Sequence, residues 1–463
     1  MVQPSQSCPG PMTRRQFIRL GAFSLAGFGM NGLLPLKLTG QPSSDDPDTA
    51  VILIWMPGGP PHMETYDPKP DAPEEYRGAF RPIRTVVPGL DVCEHLPMHA
   101  RVADRFTLIR SISHHYNDHD GGHKYFLTGR DPSSPVGFVN EHPMVGSIVS
   151  RMRERVRRGV PNYIAGTEPS RSAIDTYSFG SAYLGVATHP FMVTGDPSSP
   201  GFRVRNLGPA GITTDRLNDR LQLLQSLDRM PTDLDRSGNM QAIGTFRQRS
   251  LELITADSAQ QAFDLSREPQ RLRERYGMHC WGQRALLARR LVEHGASFVT
   301  MVFENPYQSG VQYSSNGTYN WDSHAVNCHI FEDLLVRLPI FDRAVSALIE
   351  DIYDRGLDRK VLLIVTGEFG RTPRITYANN RPGRDHWPQA MSLLISGGGL
   401  RMGQVIGATN SRGEYPVQQL LRAGDLWATM YRHLGIDYEN TTFLDNLGRP
   451  MPILPEGRPI PWL

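Results

Sequence analysis

Two nearly unbroken apolar runs constrain the fold of this chain more than any other feature. Residues 50–56 are entirely apolar and lead into a loop of Pro and Gly, and residues 361–366 lead into Gly367 and Glu368. Strands that are apolar on both sides are typical of parallel sheets covered by helices on both faces. The sequence therefore predicts an α/β fold with a mostly parallel sheet and helices on both faces.

Further segments support this alternation of strands and helices. Residues 106–111, 298–303 and 391–395 are also predicted strands, and a helix is predicted to begin near residue 146. Residues 330–355 form a predicted amphipathic helix that Gly356 closes, and residues 425–434 form another. Leucines recur at helical spacing within residues 212–294, which predicts a helical insert or layer, whereas Gly, Pro and Ser predict mostly loops at 160–210. We expect one α/β domain over residues 50–463, after a polar linker at 41–49.

The N-terminal residues predict an export signal. Arg14 and Arg15 precede a mildly apolar stretch at residues 20–36, and polar, acidic residues follow from Gln41. Paired arginines before such a stretch are typical of the twin-arginine route, so residues 1–40 predict a periplasmic or secreted protein that meets the twin-arginine export machinery. A short buried helix with two chance arginines is the alternative. Glycines and Pro35 interrupt the stretch, which makes it a poor permanent membrane span, and no later segment is apolar enough to be one.

Charge and cysteine content exclude several classes of function. The formal charge is +2 over 463 residues, which argues against a nucleic-acid partner. Cys8 lies in the signal region, and the three remaining cysteines leave at least one thiol unpaired. We expect buried, unpaired cysteines. The chain has no Cys-x-x-Cys-His or iron–sulfur pattern, so an exported redox protein is disfavoured.

Acidic and imidazole side chains follow most of the predicted strands. Open α/β sheets bind ligands beyond the carboxyl ends of their strands, so residues far apart in sequence are expected to meet there. Carboxylates and imidazoles without paired cysteines suit divalent ions, here zinc, manganese or calcium, and two such ions can stabilise phosphoryl transfer. The candidates, in chain order, are His62, Glu64, Asp67, His114, His115, Asp118, His119, His123, Asp322, His324, Glu368, Asp385 and His386.

Arg371 is the cationic candidate at the same edge. Its guanidinium could hold an anionic oxygen through two hydrogen bonds, or it could pair with Glu368 as a structural bridge. Isolated histidines are more often structural or exposed, and we set aside His95, His99, His189 and His433 on that ground.

Several motifs together resemble one known family, which groups exported bacterial proteins as a domain of unknown function (family fifteen-oh-one) within the alkaline phosphatase and sulfatase superfamily. The resemblance runs from about residue 50 to the C-terminus. Its most specific motifs are Trp-Asp-Ser-His at 321–324, Gly-Glu-Phe-Gly-Arg-Thr-Pro at 367–373 and Gly-Arg-Asp-His-Trp-Pro at 383–388. Residues 58–70, 94–97, 114–129, 274–277, 397–399 and 448–450 also fit.

The resemblance implies an alkaline phosphatase-like fold and a metal-dependent hydrolase of phosphate or sulfate esters. Its substrate would be a small anionic ester or a sulfated or phosphorylated polymer. Asp322, His324, Asp385 and His386 would bind metal with His119 and with His62 or Glu368, and Arg371 would bind the ester oxyanion.

This chain departs from the superfamily pattern at the presumed nucleophile. No aspartate ends the first strand, Pro61 stands where the family often has serine, and Glu64 replaces a common aspartate. Proline offers no nucleophile, which leaves Ser111, Ser113 and Thr65 as the candidates. These departures keep open a second hypothesis, a catalytically degenerate relative that binds a ligand or an envelope partner.

Overall fold

The computed structural model describes residues 48–204, except 155, 157 and 158, and residues 257–463, except 308–310 and 313. These residues belong to one compact unit that spans Pro42–Leu463. The signal region, the linker up to residue 47 and most of the predicted helical insert lie outside the described residues. No helix in the described ranges is both long enough and apolar enough to span a bilayer.

An eight-stranded sheet forms the centre of the unit. Its strands in chain order are β1 (Ala50–Trp55), β2 (Phe106–Ile112), β3 (Tyr163–Thr167), β4 (Phe191–Thr194), β5 (Phe298–Val302), β6 (Val361–Thr366), β7 (Met391–Gly397) and β8 (Gln404–Ile406). Their order across the sheet is β8-β2-β7-β6-β1-β5-β3-β4. Seven strands run parallel, and β7 alone runs antiparallel to its two neighbours. The α/β fold class is therefore confirmed.

Ten α-helices accompany the sheet within the described residues. They are α1 (Glu74–Arg77), α2 (Pro97–Arg101), α3 (His119–Thr128), α4 (Val145–Met152), α5 (Ser172–Ser178), α6 (Asp257–Phe263), α7 (Gln270–Tyr276), α8 (Cys280–Glu293), α9 (Ile330–Asp354) and α10 (Ala423–His433). Short two-stranded ribbons lie outside the main sheet, and one of them pairs Gly370–Arg371 with His386–Trp387.

Helices cover both faces of the sheet, and the alternation along β1 shows why β1 is apolar throughout. Ile52 and Ile54 pack into the core that includes α8 and α9. Val51, Leu53 and Trp55 pack into the opposite core, with residues of α3, α4 and α10. Successive side chains of a strand point to opposite faces, so a strand covered on both sides needs apolar residues at every position.

The structure refines one expectation and supports others. Residues 160–210 were expected to be mostly loops, and in the described part of that stretch, residues 160–204, β3, α5 and β4 interrupt the loops. The sequence missed β3 because it is short and includes Ala165 and Gly166, so it lacks the bulky β-branched run of the central strands. The helical reading of residues 212–294 holds for α6, α7 and α8. Cys93, Cys280 and Cys328 are buried and unpaired, as predicted.

Candidate metal centre

The candidate residues meet at the carboxyl edge of the parallel strands. The loop after β1 supplies Gly58 and Gly59, and the segment after β6 supplies Glu368. The loop after β2 leads into α3, whose first residue is His119. Because β7 is antiparallel, it begins at this same edge, and the segment that enters it carries Asp385 and His386.

Asp322 is the common partner of three imidazoles. Its Oδ1 lies 3.1 Å from Nε2 of His324, 3.2 Å from Nε2 of His386 and 3.4 Å from Nε2 of His119. Two ligands bound tetrahedrally to zinc at about 2.1 Å lie about 3.4 Å apart. The distances from Asp322 to these nitrogens are therefore those expected between ligands of one ion, and the ligand atoms of Asp322, His119 and His386 all lie within 4.8 Å of one another.

The other nitrogen of each ring faces a hydrogen-bond acceptor. Nδ1 of His324 lies 2.6 Å from Oδ1 of Asp385, and Nδ1 of His386 lies 2.6 Å from the carbonyl oxygen of Asn117. Nδ1 of His119 lies 2.7 Å from Oε1 of Glu368. Metal-binding histidines characteristically donate their second N–H to a carboxylate or a carbonyl, which fixes the tautomer.

The hydrogen-bonding roles of these ring nitrogens bear on whether the cluster can bind a cation. If each neutral ring donates its Nδ1 proton, each Nε2 presents a lone pair to Asp322, whose carboxylate oxygen is also an acceptor. The Arg371 guanidinium also contacts Oδ1 of Asp322, and one divalent ion fits the remaining lone pairs of these four acceptor atoms. The alternative is that protonated imidazoles donate their Nε2–H groups to Asp322, in line with the raised pKa of His119.

Glu368 forms a second, deeper group. Its Oε1 lies 2.7 Å from Nδ1 of His119 and 3.3 Å from Nε2 of His123, and it accepts the backbone N–H of Gly58 at 2.8 Å. Glu368 and His123 are buried, and Oε2 of Glu368 has no hydrogen-bond partner among the described residues. The sets His119–Asp322–His386 and His119–His123–Glu368 each offer ligand atoms within 4.8 Å of one another.

Mutual interactions shift the pKa values in this cluster. Burial alone would raise the pKa of Asp322, but hydrogen bonds from the three histidines and the charge of Arg371 hold it well below its usual range. Burial also opposes ionisation of His119, yet its bonds to Asp322 and Glu368 raise its pKa to about 9. Burial lowers the pKa of His386.

Arg371 supports the cluster from behind. Its side chain is fully buried, and Nη2 lies 2.6 Å from Oδ1 of Asp322. The guanidinium also donates to the carbonyl oxygens of Gly58, Gly59 and Arg384. The bridge to Glu368 considered from the sequence is thus replaced by one to Asp322, and the donors of Arg371 are engaged within the protein.

Close backbone contact explains the glycines after β1. Gly58 has φ of 106°, and a Cβ atom there would lie 2.5 Å from the backbone nitrogen of Asp322. The backbone N–H of Trp321 donates to the carbonyl of Pro57 at 3.0 Å. A side chain at position 58 would therefore push Asp322 out of place.

Other candidates from the sequence have partners elsewhere. The His62 ring is fully buried and bonds through Nε2 to the carbonyl of Gly413 at 2.9 Å, and burial lowers its pKa to about 4. The Ser111 hydroxyl donates to the carbonyl of Gln419, and the Thr65 hydroxyl donates to that of Pro61. The backbone N–H of Ser113 donates to the carbonyl of Leu421.

His123 belongs to the cluster with Glu368, although the sequence did not single it out among the neighbouring candidates. His119 and His123 lie one turn apart on α3, and residues at i and i+4 share a helix face. The helix begins where the Asp118 carboxylate accepts the N–H of Gly121 at 2.7 Å. That capping aspartate, followed by two histidines four apart, is the signal that identifies the pair.

Residues 48–463 match the family described as "Protein of unknown function (DUF1501)". The chain belongs to this family. The family resemblance drawn from the motifs is thereby confirmed. No match to the sequence was found among curated proteins.

Several solved structures resemble the DUF1501 chain weakly. The lipoteichoic acid synthase LtaP from Listeria monocytogenes is 10% identical, with a TM-score of 0.37 over 88% of this chain and 76% of that one. The zinc-bound C-terminal periplasmic domain of EcEptC from Escherichia coli is 11% identical, with a TM-score of 0.36 over 91% of each chain. A protein of the alkaline phosphatase superfamily from Vibrio parahaemolyticus is 12% identical, with a TM-score of 0.35 over 89% and 69%. Such values carry no argument about activity.

Proposed function

We propose that this protein is an extracytoplasmic, metal-dependent hydrolase of phosphate or sulfate esters. The observation that carries the proposal is the approach of three imidazole Nε2 atoms to one carboxylate oxygen of Asp322, while each Nδ1 faces an acceptor. The ligands would be Asp322, His119, His324 and His386. In this arrangement Asp385 and Glu368 orient histidines, and Glu368 with His123 can hold a second ion.

The partial exposure of the centre supports catalysis over a purely structural role. Between 17% and 27% of each ligand side chain is accessible to solvent. Structural zinc sites are closed, whereas catalytic sites keep a position open for substrate. A divalent ion held there supplies Lewis acidity toward an ester oxygen.

The residues of the chain contribute orientation and charge balance. Asp385 and the Asn117 carbonyl keep the Nδ1 protons of His324 and His386 in place, so that both Nε2 lone pairs point toward Asp322. Arg371 limits the negative charge on Asp322 and fixes it against the loop after β1. We therefore propose Arg371 as a support for the centre, which leaves the oxyanion-binding group open.

A second candidate function is binding without catalysis. It is favoured because none of the candidate nucleophiles Ser111, Ser113 and Thr65 has a hydroxyl contact with the metal cluster. The hydroxyls of Ser111 and Thr65 are committed to backbone carbonyls. A hydrolase of this geometry would have to work without a covalent intermediate at these residues.

Metal content and turnover, measured on the same preparation, test the proposal. We expect the purified protein to retain at least one equivalent of zinc or manganese and to hydrolyse an aryl phosphate or an aryl sulfate. His386→Ala should lose metal and activity together. His294→Ala is the matched control, because His294 is also half-buried but bonds only to the carbonyl of Arg290. Retained metal without turnover would favour the binding protein, and a wild type without metal would refute both metal roles.

The place of action is tested separately. The proposal assigns the protein to the periplasm or the exterior, through the twin-arginine export machinery. Replacing Arg14 and Arg15 with lysine should leave folded protein in the cytoplasm, as measured by cell fractionation. Unchanged export of that variant would rule out the twin-arginine route.

A further inference from the structure

Arg384 connects the separate segments of the metal centre through its backbone. Its N–H donates to the carbonyl of Ser323 at 2.9 Å, next to Asp322. Its carbonyl accepts Nη1 of Arg371 at 3.2 Å. The residue therefore lies between the Asp322 segment and the arginine that holds Asp322, and it directly precedes Asp385.

The Arg384 side chain reaches three further segments. Its Nη2 lies 2.6 Å from Oε1 of Glu64 and 2.6 Å from the carbonyl of Tyr76. Its Nη1 donates to the carbonyls of Thr372, at 2.9 Å, and of Pro373. Because 1% of the residue is exposed, these contacts form away from solvent.

Glu64 supplies the charge that balances this guanidinium. It lies in the loop after β1 and is 1% exposed, and the sequence offered it as a possible metal ligand. Its Oε1 instead contacts Arg384, and its Oε2 has no hydrogen-bond partner among the described residues. A buried guanidinium that loses its carboxylate becomes an uncompensated charge, so Arg384 would have to move toward water.

The effect of such a movement reaches the ligands through Thr372. The N–H of Thr372 donates to the carbonyl of Asp385 at 2.8 Å, and the N–H of Asp385 donates to the Thr372 hydroxyl at 2.9 Å. This pairing aims the Asp385 carboxylate at His324. A shift of Arg384 would therefore disturb both Asp385 and His386, the two residues that follow it in sequence.

We propose that the buried Glu64–Arg384 pair is a positioning device for the metal centre, and that Glu64 is not a ligand. This inference rests on the proposed function, because it assumes that the Asp322 cluster binds metal. The pair sets the orientation of Asp385 and His386, and through Asp385 it sets the direction of the His324 ring. The competing interpretation is an ion pair that stabilises the fold alone.

Cobalt(II) binding distinguishes the two interpretations, because its visible spectrum reports coordination geometry while its affinity reports the ligand set. The probe is cobalt chloride added to metal-free, full-length protein, and zinc affinity is measured by competition with a chelator. The test variant is Glu64→Gln, which keeps the shape and removes the charge. We expect its metal affinity to fall about tenfold, as for other groups that orient ligands, and its cobalt bands to shift.

Asp351→Asn is the matched control. Asp351 forms a buried pair with Arg289 at 2.8 Å between α8 and α9, and Asp351 is 3% exposed, against 1% for Glu64. The Asp351→Asn substitution should lower thermal stability without changing the zinc affinity or the cobalt spectrum. A double variant, Glu64→Leu with Arg384→Met, removes the unbalanced charge, so it should recover stability but not the wild-type spectrum.

The outcomes separate this inference from the proposed function. If wild type binds no cobalt or zinc, the metal centre itself is refuted, and the positioning role with it. If wild type binds metal and Glu64→Gln binds it with the same affinity and spectrum, only the positioning role is refuted. If Glu64→Gln does not fold, the double variant decides, and a wild-type spectrum in that variant would overturn the inference.

Discussion

Asp385→Asn should weaken metal binding without removing a ligand. The Asp385 carboxylate lies 2.6 Å from Nδ1 of His324. The side-chain oxygen of asparagine could still accept a hydrogen bond from the Nδ1–H of His324, but it carries no charge. Loss of a group that orients a metal-binding histidine costs about 10- to 100-fold in affinity. Because 48% of the Asp385 side chain is exposed, solvent already screens its charge, and we expect the lower end, about tenfold or about 1.4 kcal/mol.

The assay is zinc competition against a chelator at neutral pH, with Glu332→Gln as the control. Glu332 is also 48% exposed and also faces a histidine, His329, but at 3.8 Å and at the start of α9. The control should bind zinc like wild type. An Asp385→Asn variant with unchanged zinc affinity, measured beside an Asp322→Asn variant that has lost it, would refute the assigned role of Asp385.

Three further predictions follow from other parts of the structure. Burial raises the pKa of Glu304 to about 7, against the charge of Arg171 and with Asp175 and Glu168 nearby, so ionisation of Glu304 lowers the free energy of unfolding as pH rises from about 4.5 to 7. In Glu304→Gln this pH-dependent loss, up to about 3 kcal/mol, should disappear, as measured by urea unfolding at pH 5 and pH 8. Gly58→Ala should abolish zinc binding in the chelator assay, because its Cβ would collide with the backbone of Asp322, and normal binding would contradict that contact. The three buried cysteines should react with a thiol reagent only after unfolding, since burial raises the pKa of two of them, Cys93 and Cys328, to about 12.

The central strands were predictable because a strand that is buried on both faces is apolar at nearly every position. β1 and β6 lie beside each other in the middle of the sheet, and every residue in them is buried. β4 is the edge strand and β3 is its neighbour; both are short, and β3 also contains Ala165 and Gly166, so neither forms a long apolar run in the sequence. The antiparallel direction of β7 was also beyond the sequence, because a buried apolar run reads the same in either direction.

The sequence located the segments of the candidate site better than it located the roles of their residues. The rule that ligands gather at strand ends brought Asp322, His324 and His386 together before any contact was known. It could not show that Asp385 faces a histidine, or that Arg371 turns to Asp322 and not to Glu368. These roles depend on which atom of a side chain points inward, and no periodicity or spacing encodes that.

The position of the centre in the chain has a consequence for how the protein matures. His119 and Glu368 touch across 249 residues of sequence, and Asn117 and His386 touch across 269. Contacts between such distant residues form late, because the intervening loop must close first. A nascent chain still on the ribosome thus has no complete centre until residue 386 has emerged, and tight retention of an ion would mark a chain whose sheet has already assembled.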